Sequence, residues 1–199
     1  MTEPARSRRP LELAVLLGVA GLVLVADLVS KALVVANVAI GQRVDVVGEL
    51  LQIWHAQNSG AAFSLFQNGM PLFLIVSLVA LGLVAYFARA VHGRSLWFFF
   101  ILGLVLGGTL GNLTDRIAHQ GIVTDFISFG FGDVRFATFN IADSSLVVGI
   151  GLIIGTMWFL DRTSTAADPR RPSGEPREAD ANGATAPRSG NGPAAGAAG

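Results

Sequence analysis

The chain has 199 residues, of which 52% are hydrophobic and 14% charged, and its formal net charge is zero. A soluble domain carries roughly 25% charged residues, so this composition, with a mean hydropathy of +0.57, excludes an ordinary soluble domain and indicates a membrane protein. The zero net charge argues against nucleic acid as a partner, and the lack of cysteine excludes disulfides, thiolate metal sites and a cysteine nucleophile.

Four apolar segments are long enough to cross the roughly 30 Å hydrocarbon layer, which takes about 20 helical residues. They run from 11 to 35, 71 to 90, 95 to 113, and 144 to 160. The first follows three arginines, as a cleavable signal peptide would, but it is longer than a signal-peptide core and has Asp27, Ser30 and Lys31 where a small-residue cleavage site should be. We therefore expect it to be retained, and we predict an all-α membrane protein with four transmembrane helices.

Positive charges are distributed unevenly around these spans. Eight lie on one side, namely Arg6, Arg8, Arg9, Arg89, Arg94, Arg162, Arg170 and Arg171, against four on the other. Because cytoplasmic loops carry the excess of arginine and lysine, we expect both termini in the cytoplasm and residues of about 37–69 and 114–142 outside. Residues 1–10 would be a cytoplasmic segment and 11–162 the membrane domain. Residues 163–199, rich in Pro, Gly and Ala, would be a disordered cytoplasmic tail.

The two outer segments carry strand-like patterns. Residues 43–46 and 51–55 alternate with a period near two around Gly48, which predicts a hairpin. Residues 129–136 contain Gly130, Gly132 and Asp133 and predict a second tight hairpin. We therefore expect a small extracytoplasmic β-sheet region beside the helices.

Small residues recur at four-residue spacing in the last two spans. Gly103, Gly107 and Gly111 form such a row in the third span, and Gly151 and Gly155 repeat the spacing in the fourth. Rows of this kind let helices approach closely in lipid. We expect the third and fourth helices to pack tightly, which would fix the distance between their outer ends.

Two carboxylates outside the spans, Asp125 and Asp143, lie in short polar motifs. Asp143 directly precedes the fourth span, where it could be an N-cap, although this does not explain Asn140 three residues earlier. Asp125 lies in an apolar, strand-like run, where it either faces solvent by alternation or is kept for chemistry. Both would lie on the outer side, where two close acids could share a proton and activate a water for cleaving a peptide bond.

Other polar residues lie near the same side. Asn112, Asp115 and Arg116 share one helical face at the end of the third span, either as a polar end with a local ion pair or as donors into a site. Asn58 begins a turn, and the small residues that follow it suggest a place where another chain passes closely.

The single lysine offers a different chemistry. Asp27 and Lys31 are four residues apart with the acid first, which favours an intrahelical ion pair that anchors the first span. A serine–lysine protease is an alternative. Ser30, the neighbour of Lys31, points about 100° away from it on a helix, which leaves Ser64 as the nucleophile to consider.

Two further alternatives concern metals and transport. His55, His92 and His119 lie on different segments without a His-Glu-x-x-His motif, which argues against a metalloprotease. A small channel could use Asp27, Lys31 and Arg116 as a polar pathway. These charges cluster near one surface, however, whereas a conduction path should be polar across its depth.

Five strings occur in order along the chain and together carry a family resemblance. They are Asp-Leu-Val-Ser-Lys (27–31), Asn-Ser-Gly-Ala-Ala-Phe-Ser (58–64), Gly-Thr-Leu-Gly-Asn-Leu-Thr-Asp-Arg (108–116), Val-Thr-Asp-Phe (123–126) and Phe-Asn-Ile-Ala-Asp-Ser (139–144). With four spans over roughly residues 11–160, the chain resembles lipoprotein signal peptidase, also called signal peptidase II.

The resemblance implies a membrane-embedded aspartic endopeptidase of the bacterial cytoplasmic membrane that needs no metal or other cofactor. It would remove signal peptides from prolipoproteins, cutting just before a cysteine that bears a diacylglyceryl group. Its partners would be these substrates and membrane lipids, and we expect it to be monomeric.

The resemblance also assigns residues. Asp125 and Asp143 match the catalytic pair, and the residues that match the polar lining of the site are Asn58, Asn112, Arg116 and Asn140. It further implies a small outer β-sheet and a short amphipathic segment lying on the membrane, both formed by the first outer segment.

Overall fold

The structure is a computed structural model and describes residues 8–60, 70–132 and 134–166. Four long helices make up most of this part of the chain. They are α1 (Arg9–Asn37), α2 (Met70–Ala90), α3 (Leu96–Ala118) and α4 (Ile141–Ala166). Each is long and apolar enough to cross a membrane, so the four predicted spans are confirmed. The tail expected to be disordered begins at residue 163, but α4 continues to Ala166, so this boundary is wrong. Residues 167–199 of that tail lie outside the described residues, as do residues 61–69 of the first outer segment, in which an amphipathic stretch is expected.

The chain divides into two units at Trp158. The first unit extends to Trp158 and contains α1, α2, α3, the strands and most of α4. The second unit begins at Phe159, and its described residues continue α4 to Ala166.

Two helices extend beyond the spans that hydropathy predicted. α3 ends at Ala118 instead of residue 113, and α4 begins at Ile141 instead of residue 144. The added part of α3 contains Thr114, Asp115 and Arg116, and the added part of α4 contains Asp143, so an uninterrupted apolar run stops short of both helix ends. Asp143 therefore lies inside the first turn of α4, and the expectation that it precedes the helix is wrong.

Four short strands form one sheet in the order β1 (Arg43–Val47), β2 (Leu51–Asn58), β3 (Val123–Phe131) and β4 (Val134–Arg135), with neighbours antiparallel. Both predicted hairpins are confirmed, with Gly48 and Gly132 at positive φ in the turns. The central pairing joins the two outer segments, since β2 runs beside β3 from Leu51 opposite Phe129 to Asn58 opposite Val123. The expectation that the sheet comes from the first outer segment alone is therefore wrong.

The glycine row of α3 packs mainly against α1. A Cβ atom at Gly103 would lie 2.7 Å from Val19 Cβ, and one at Gly107 would lie 2.7 Å from both the Ala20 carbonyl oxygen and Val23 Cβ. The start of α4 meets α3 at Gly108 and Gly111. The predicted role of Gly151 and Gly155 is wrong, because a Cβ atom at either position would have no described atom within 4 Å. Glycine therefore permits close contact of α3 with α1 and also with α4, because a Cβ atom at Gly108 would lie 2.5 Å from the Ala142 carbonyl oxygen and one at Gly149 would lie 2.8 Å from Val105 Cγ2. The expected close packing of α3 with α4 is thus found, but through Gly108 and Gly149.

Candidate active site

Asp125 lies on β3 directly opposite Ala56 of β2, and its side chain is 2% exposed. Asn58, at the end of β2, donates from Nδ2 to Asp125 Oδ2 over 2.9 Å. The orientation of Asn58 is fixed by its own turn, because Gly60 N–H donates to Asn58 Oδ1 over 2.8 Å. Gly60 has a φ of +77°, and a Cβ atom there would collide with the Phe73 ring, so this turn requires glycine. The pairing of β2 with β3 thus delivers an amide donor to the first acid.

Asp143 is held by the local structure at the start of α4. Its N–H donates to Asn140 Oδ1 over 2.9 Å, and the Asn140 N–H donates back to Asp143 Oδ2 over 3.2 Å. This reciprocal pair is a capping box with Asn140 as the N-cap. The other carboxylate oxygen, Asp143 Oδ1, accepts from Asn112 Nδ2 of α3 over 2.7 Å. Both oxygens of the second acid therefore have a defined donor.

Asn140 links the two acids. Its side chain is completely buried, and Nδ2 donates to Asp125 Oδ1 over 2.7 Å and to Asn112 Oδ1 over 3.2 Å. Asn140 therefore contacts Asp125 through its side chain and Asp143 through its backbone N–H. The structure brings together the predicted acids and three of the predicted polar residues, Asn58, Asn112 and Asn140.

Burial raises the pKa of Asp125 to about 6, and the negative charge of Asp143 adds to the rise. Hydrogen bonds from Asn58 and Asn140 oppose this change, because they stabilise the ionised carboxylate. The net result is a carboxyl group that can carry a proton close to neutral pH.

Arg116 approaches the site from the last turn of α3. Its guanidinium lies 4.5 Å from the centre of the Phe73 ring, and one terminal nitrogen donates to the Asn112 carbonyl over 3.4 Å. It interacts electrostatically with Asp143 and Asp125. Its Nε is buried and has no hydrogen-bond partner among the described residues. Arg116 therefore brings a positive charge and an unused donor to the acids. The contact of Arg116 with Phe73 could not be predicted from the sequence, because the two residues lie on distant segments of the chain.

A buried ion cluster lies beside the acids. Lys31 Nζ is 2.6 Å from Asp27 Oδ2, as predicted for an intrahelical pair, and 3.0 Å from Asp115 Oδ2 of α3. Asp27 Oδ1 also accepts from the Ala142 N–H of α4, and Asp115 Oδ2 accepts from the Thr124 N–H of β3. Asp27, Lys31 and Asp115 therefore tie together the elements that carry Asp125 and Asp143. Sequence reasoning grouped Asp115 with Arg116 and missed this role.

The residues of the alternative chemistries lie elsewhere or are otherwise engaged. Lys31 sits between two carboxylates, and Ser30 Oγ donates to the Asp27 carbonyl over 2.9 Å. Ser64 lies outside the described residues. His55 contacts the Val38 carbonyl, whereas His92 contacts Glu12 near the opposite end of α1. Within the described part of the chain, no three His, Asp or Glu side chains are grouped so that they could hold a metal.

These features define a class of protein: an integral membrane protein with four spanning helices and a buried site of paired acids at one end. Residues 19–159 match the family model described as signal peptidase (SPase) II. The chain therefore belongs to the signal peptidase II family and is a multi-pass bacterial membrane peptidase.

Individual relatives agree with the family model. The lipoprotein signal peptidase of Shouchella clausii is 38% identical over 68% of this chain and 87% of its own length. That of Symbiobacterium thermophilum is 35% identical over 71% and 93%, and that of Leifsonia xyli is 38% identical over 76% and 70%. A bacterial membrane enzyme solved by the in meso method at 1.9 Å superposes with a TM-score of 0.65 at 34% identity, covering 70% of this chain and 89% of that one.

Proposed function

We propose that this protein is an aspartic lipoprotein signal peptidase in which Asp125 and Asp143 are the catalytic pair. The substrate would be a prolipoprotein with a diacylglyceryl group on its cysteine, and the chain would be cut just before that cysteine. The observation that carries the proposal is the sharing of Asn140, which contacts Asp125 over 2.7 Å and Asp143 over 3.2 Å. A residue that binds Asp125 through its side-chain amide and Asp143 through its backbone N–H would keep the two carboxylates close enough to act on one water.

The reaction needs one ionised and one protonated carboxyl group. Two close acids do not ionise independently, so the pair shares a proton and titrates as a unit. Asp125, whose pKa burial raises to about 6, is our candidate for holding that proton. Asp143 accepts hydrogen bonds from Asn112 and from the Asn140 N–H, which suits a carboxylate that acts as the base.

In this mechanism Asp143 takes a proton from the water as its oxygen attacks the scissile carbonyl carbon. Asp125 donates a hydrogen bond to the carbonyl oxygen, which stabilises the negative charge that develops there. The C–N bond then breaks, and the leaving amine receives a proton from the pair. The two acids return to their starting state with one proton between them.

The remaining polar residues would position the reacting groups. Asn58, Asn112 and Asn140 fix the orientation of the acids through the hydrogen bonds described above. Arg116 would bind the substrate backbone through its buried Nε, which has no hydrogen-bond partner among the described residues. Asp27 and Lys31 would act structurally, because both are buried in their ion cluster.

The lipid part of the substrate would bind within the bilayer. Burying its acyl chains between the helices contributes about 0.8 kcal/mol per methylene. Binding energy far from the scissile bond can orient the reacting carbonyl. The distribution of arginine supports a bacterial cytoplasmic-membrane topology with both termini inside and the acids outside. Since both acids and their partners come from one chain, a monomer would be sufficient for activity.

The test replaces each acid by its amide. We expect Asp125→Asn and Asp143→Asn each to abolish cleavage of a purified lipid-modified prolipoprotein, because neither variant can share a proton between two carboxyl groups. The matched control is Asp45→Asn, which changes a strand acid whose side chain contacts Gln52 outside the site. Both variants should still insert in the membrane and purify as folded proteins. Near-normal cleavage by either one would contradict the proposal.

A further inference from the structure

A cavity lies at the end of the helix bundle opposite the acids. It has a volume of about 470 Å³ and is formed by α1, α2 and α3. Glu12, which lines it, precedes Asp27 by 15 positions on α1, or about 22 Å along the helix axis. The cavity is therefore separate from the candidate active site.

The interior of this cavity is apolar and its mouth is basic. Leu16, Val84 and Phe99, which line it, belong to the buried core between the helices. Arg9, Arg89 and His92 lie among the lining residues at the ends of α1 and α2. The cavity thus has the two-part character of an amphiphile, with a hydrocarbon compartment below a polar rim.

Glu12, the acidic residue of the lining, has both of its carboxylate oxygens engaged by the loop after α2. Its Oε2 contacts His92 Nδ1 over 2.5 Å, and its Oε1 accepts from the Gly93 N–H over 2.9 Å. The side chain is almost completely buried. Both oxygens of Glu12 therefore hold the loop after α2 against α1, and neither is used by an arginine.

Neither Arg9 nor Arg89 has a carboxylate within 4 Å among the described residues. The Arg89 guanidinium donates to the neutral Ala85 carbonyl of its own helix over 3.2 Å. Two positive charges at the mouth of an apolar cavity leave a place for one anionic group.

We propose that this cavity binds an anionic glycerophospholipid. One acyl chain would enter the apolar interior between α1, α2 and α3, and the phosphodiester would lie between Arg9 and Arg89. Basic pockets between transmembrane helices bind anionic headgroups, and each arginine near a charged lipid contributes about a fivefold gain in affinity. The lipid would brace α1 against α2 far from the site of catalysis.

The experiment uses the full chain in detergent, titrated by native mass spectrometry with phosphatidylglycerol and with phosphatidylcholine of the same acyl chains. We expect the wild-type protein to prefer phosphatidylglycerol by about 30-fold, as two arginines would give. Arg9→Gln/Arg89→Gln should remove most of this preference. Arg94→Gln, which changes an arginine at the same end of the bundle that does not line the cavity, should keep it.

A second variant tests the interior. Ala85 lines the cavity and Ala90, on the same helix, does not, so Ala85→Trp should weaken binding of both lipids while Ala90→Trp should not. Equal binding of the two lipids by the wild-type protein would overturn the proposal. If Arg94→Gln lost as much of the preference for phosphatidylglycerol as Arg9→Gln/Arg89→Gln, the lipid would be attracted by surface charge in general, and the proposal would also be overturned. Unchanged binding by Ala85→Trp would place the lipid elsewhere, and would also overturn it.

Discussion

Asn140 shows how much the site depends on a single side chain. Its Oδ1 caps α4, whereas its Nδ2 reaches the carboxylate of Asp125 on the sheet. Sequence analysis singled out Asn140 because an N-cap at Asp143 left it unexplained. The dual contact was beyond sequence, because it depends on how α4 meets β3 in space. The sequence therefore identified the motif that contains Asn140, but it did not show that Asn140 binds both Asp125 and the start of α4.

The two tasks of Asn140 can be separated by substitution. Serine is also a favoured N-cap, so Asn140→Ser should keep the start of α4 capped. The serine side chain has no amide to reach Asp125, and losing such a preorganised donor lowers the rate by about 100-fold or more. Both Asn140→Ser and Asn140→Ala lose the buried hydrogen bonds of Nδ2, so Asn140→Ala should be as inactive as Asn140→Ser and about 1 kcal/mol less stable, because it also lacks the cap. Unfolding curves and cleavage rates of both variants would test this, and full activity in Asn140→Ser would refute it.

The raised pKa of Asp125 has a consequence for stability. Its pKa is about 6 in the folded protein against an ordinary value of 3.8, so the folded state binds the proton more tightly than the unfolded state. Stability should fall as the pH rises from about 4 to about 6 and then level off. A pKa of about 6 instead of 3.8 corresponds to a fall of about 3 kcal/mol in the free energy of unfolding over this pH range.

The pH dependence can be assigned by comparing variants. Asp125→Asn removes the titrating group, so its stability relative to the wild-type protein should increase over this pH range. Asp45→Asn, which leaves Asp125 in place, should retain the wild-type fall. Thermal unfolding at a series of pH values in detergent measures the difference. Parallel curves for wild-type protein and Asp125→Asn would show that the Asp125 carboxyl is not the source.

At the scale of helices and strands, hydropathy located all four helices but misplaced the polar ends of two. The added turn of α3 contains Asp115, which is buried by its ion pair with Lys31 of α1, and Arg116, which is partly buried against Phe73 of α2. Contacts with other helices, and not apolar character, therefore keep this turn in the helix bundle. Glycine spacing identified the face of α3 at which another helix packs closely, but it did not distinguish the partners. The fold shows that Gly103 and Gly107 contact α1 and that Gly108 contacts α4.

The contact of α1 with α3 can be tested at Gly107. A methyl group there would lie 2.7 Å from the Ala20 carbonyl oxygen, so Gly107→Ala should push the helices apart and cost about 1–3 kcal/mol of stability. Gly151→Ala is the matched control, because a Cβ atom at that position meets no described atom within 4 Å. It should be neutral or stabilising by up to about 1 kcal/mol, as alanine favours helix. Equal melting temperatures for the two variants would contradict this packing.

At the scale of the whole molecule, the polar groups of the site gather at one end of the bundle while large apolar side chains cover its outside. Leu22 is 72% exposed and Val147 is 73% exposed, which is appropriate only where the surrounding medium is lipid. The class of protein could be predicted from this composition alone. The joining of both outer segments in one sheet could not be predicted. The pairing of β2 with β3 joins residues about 70 positions apart, and such a pairing leaves no local pattern in the sequence.

An active site at the end of a lipid-covered bundle should favour a substrate anchored in the same lipid. We expect a prolipoprotein whose cysteine lacks the diacylglyceryl group to be cleaved at least about tenfold more slowly, since even two buried methylenes contribute about 1.6 kcal/mol. Initial rates over a range of concentrations for both substrates would separate binding from turnover. Equal kcat/KM values would remove lipid recognition from the proposed function.

The ion cluster of Asp27, Lys31 and Asp115 also bears on how the protein enters the bilayer during synthesis. Within α1, Asp27 and Lys31 form an ion pair at a spacing of four residues, so this helix would cross a bilayer without an unpaired charge at that depth. Asp115 reaches Lys31 only when α3 packs against α1, and its local neighbour His119 is farther away, at 3.8 Å. The third helix should therefore become stable in lipid only after α1 is in place beside it.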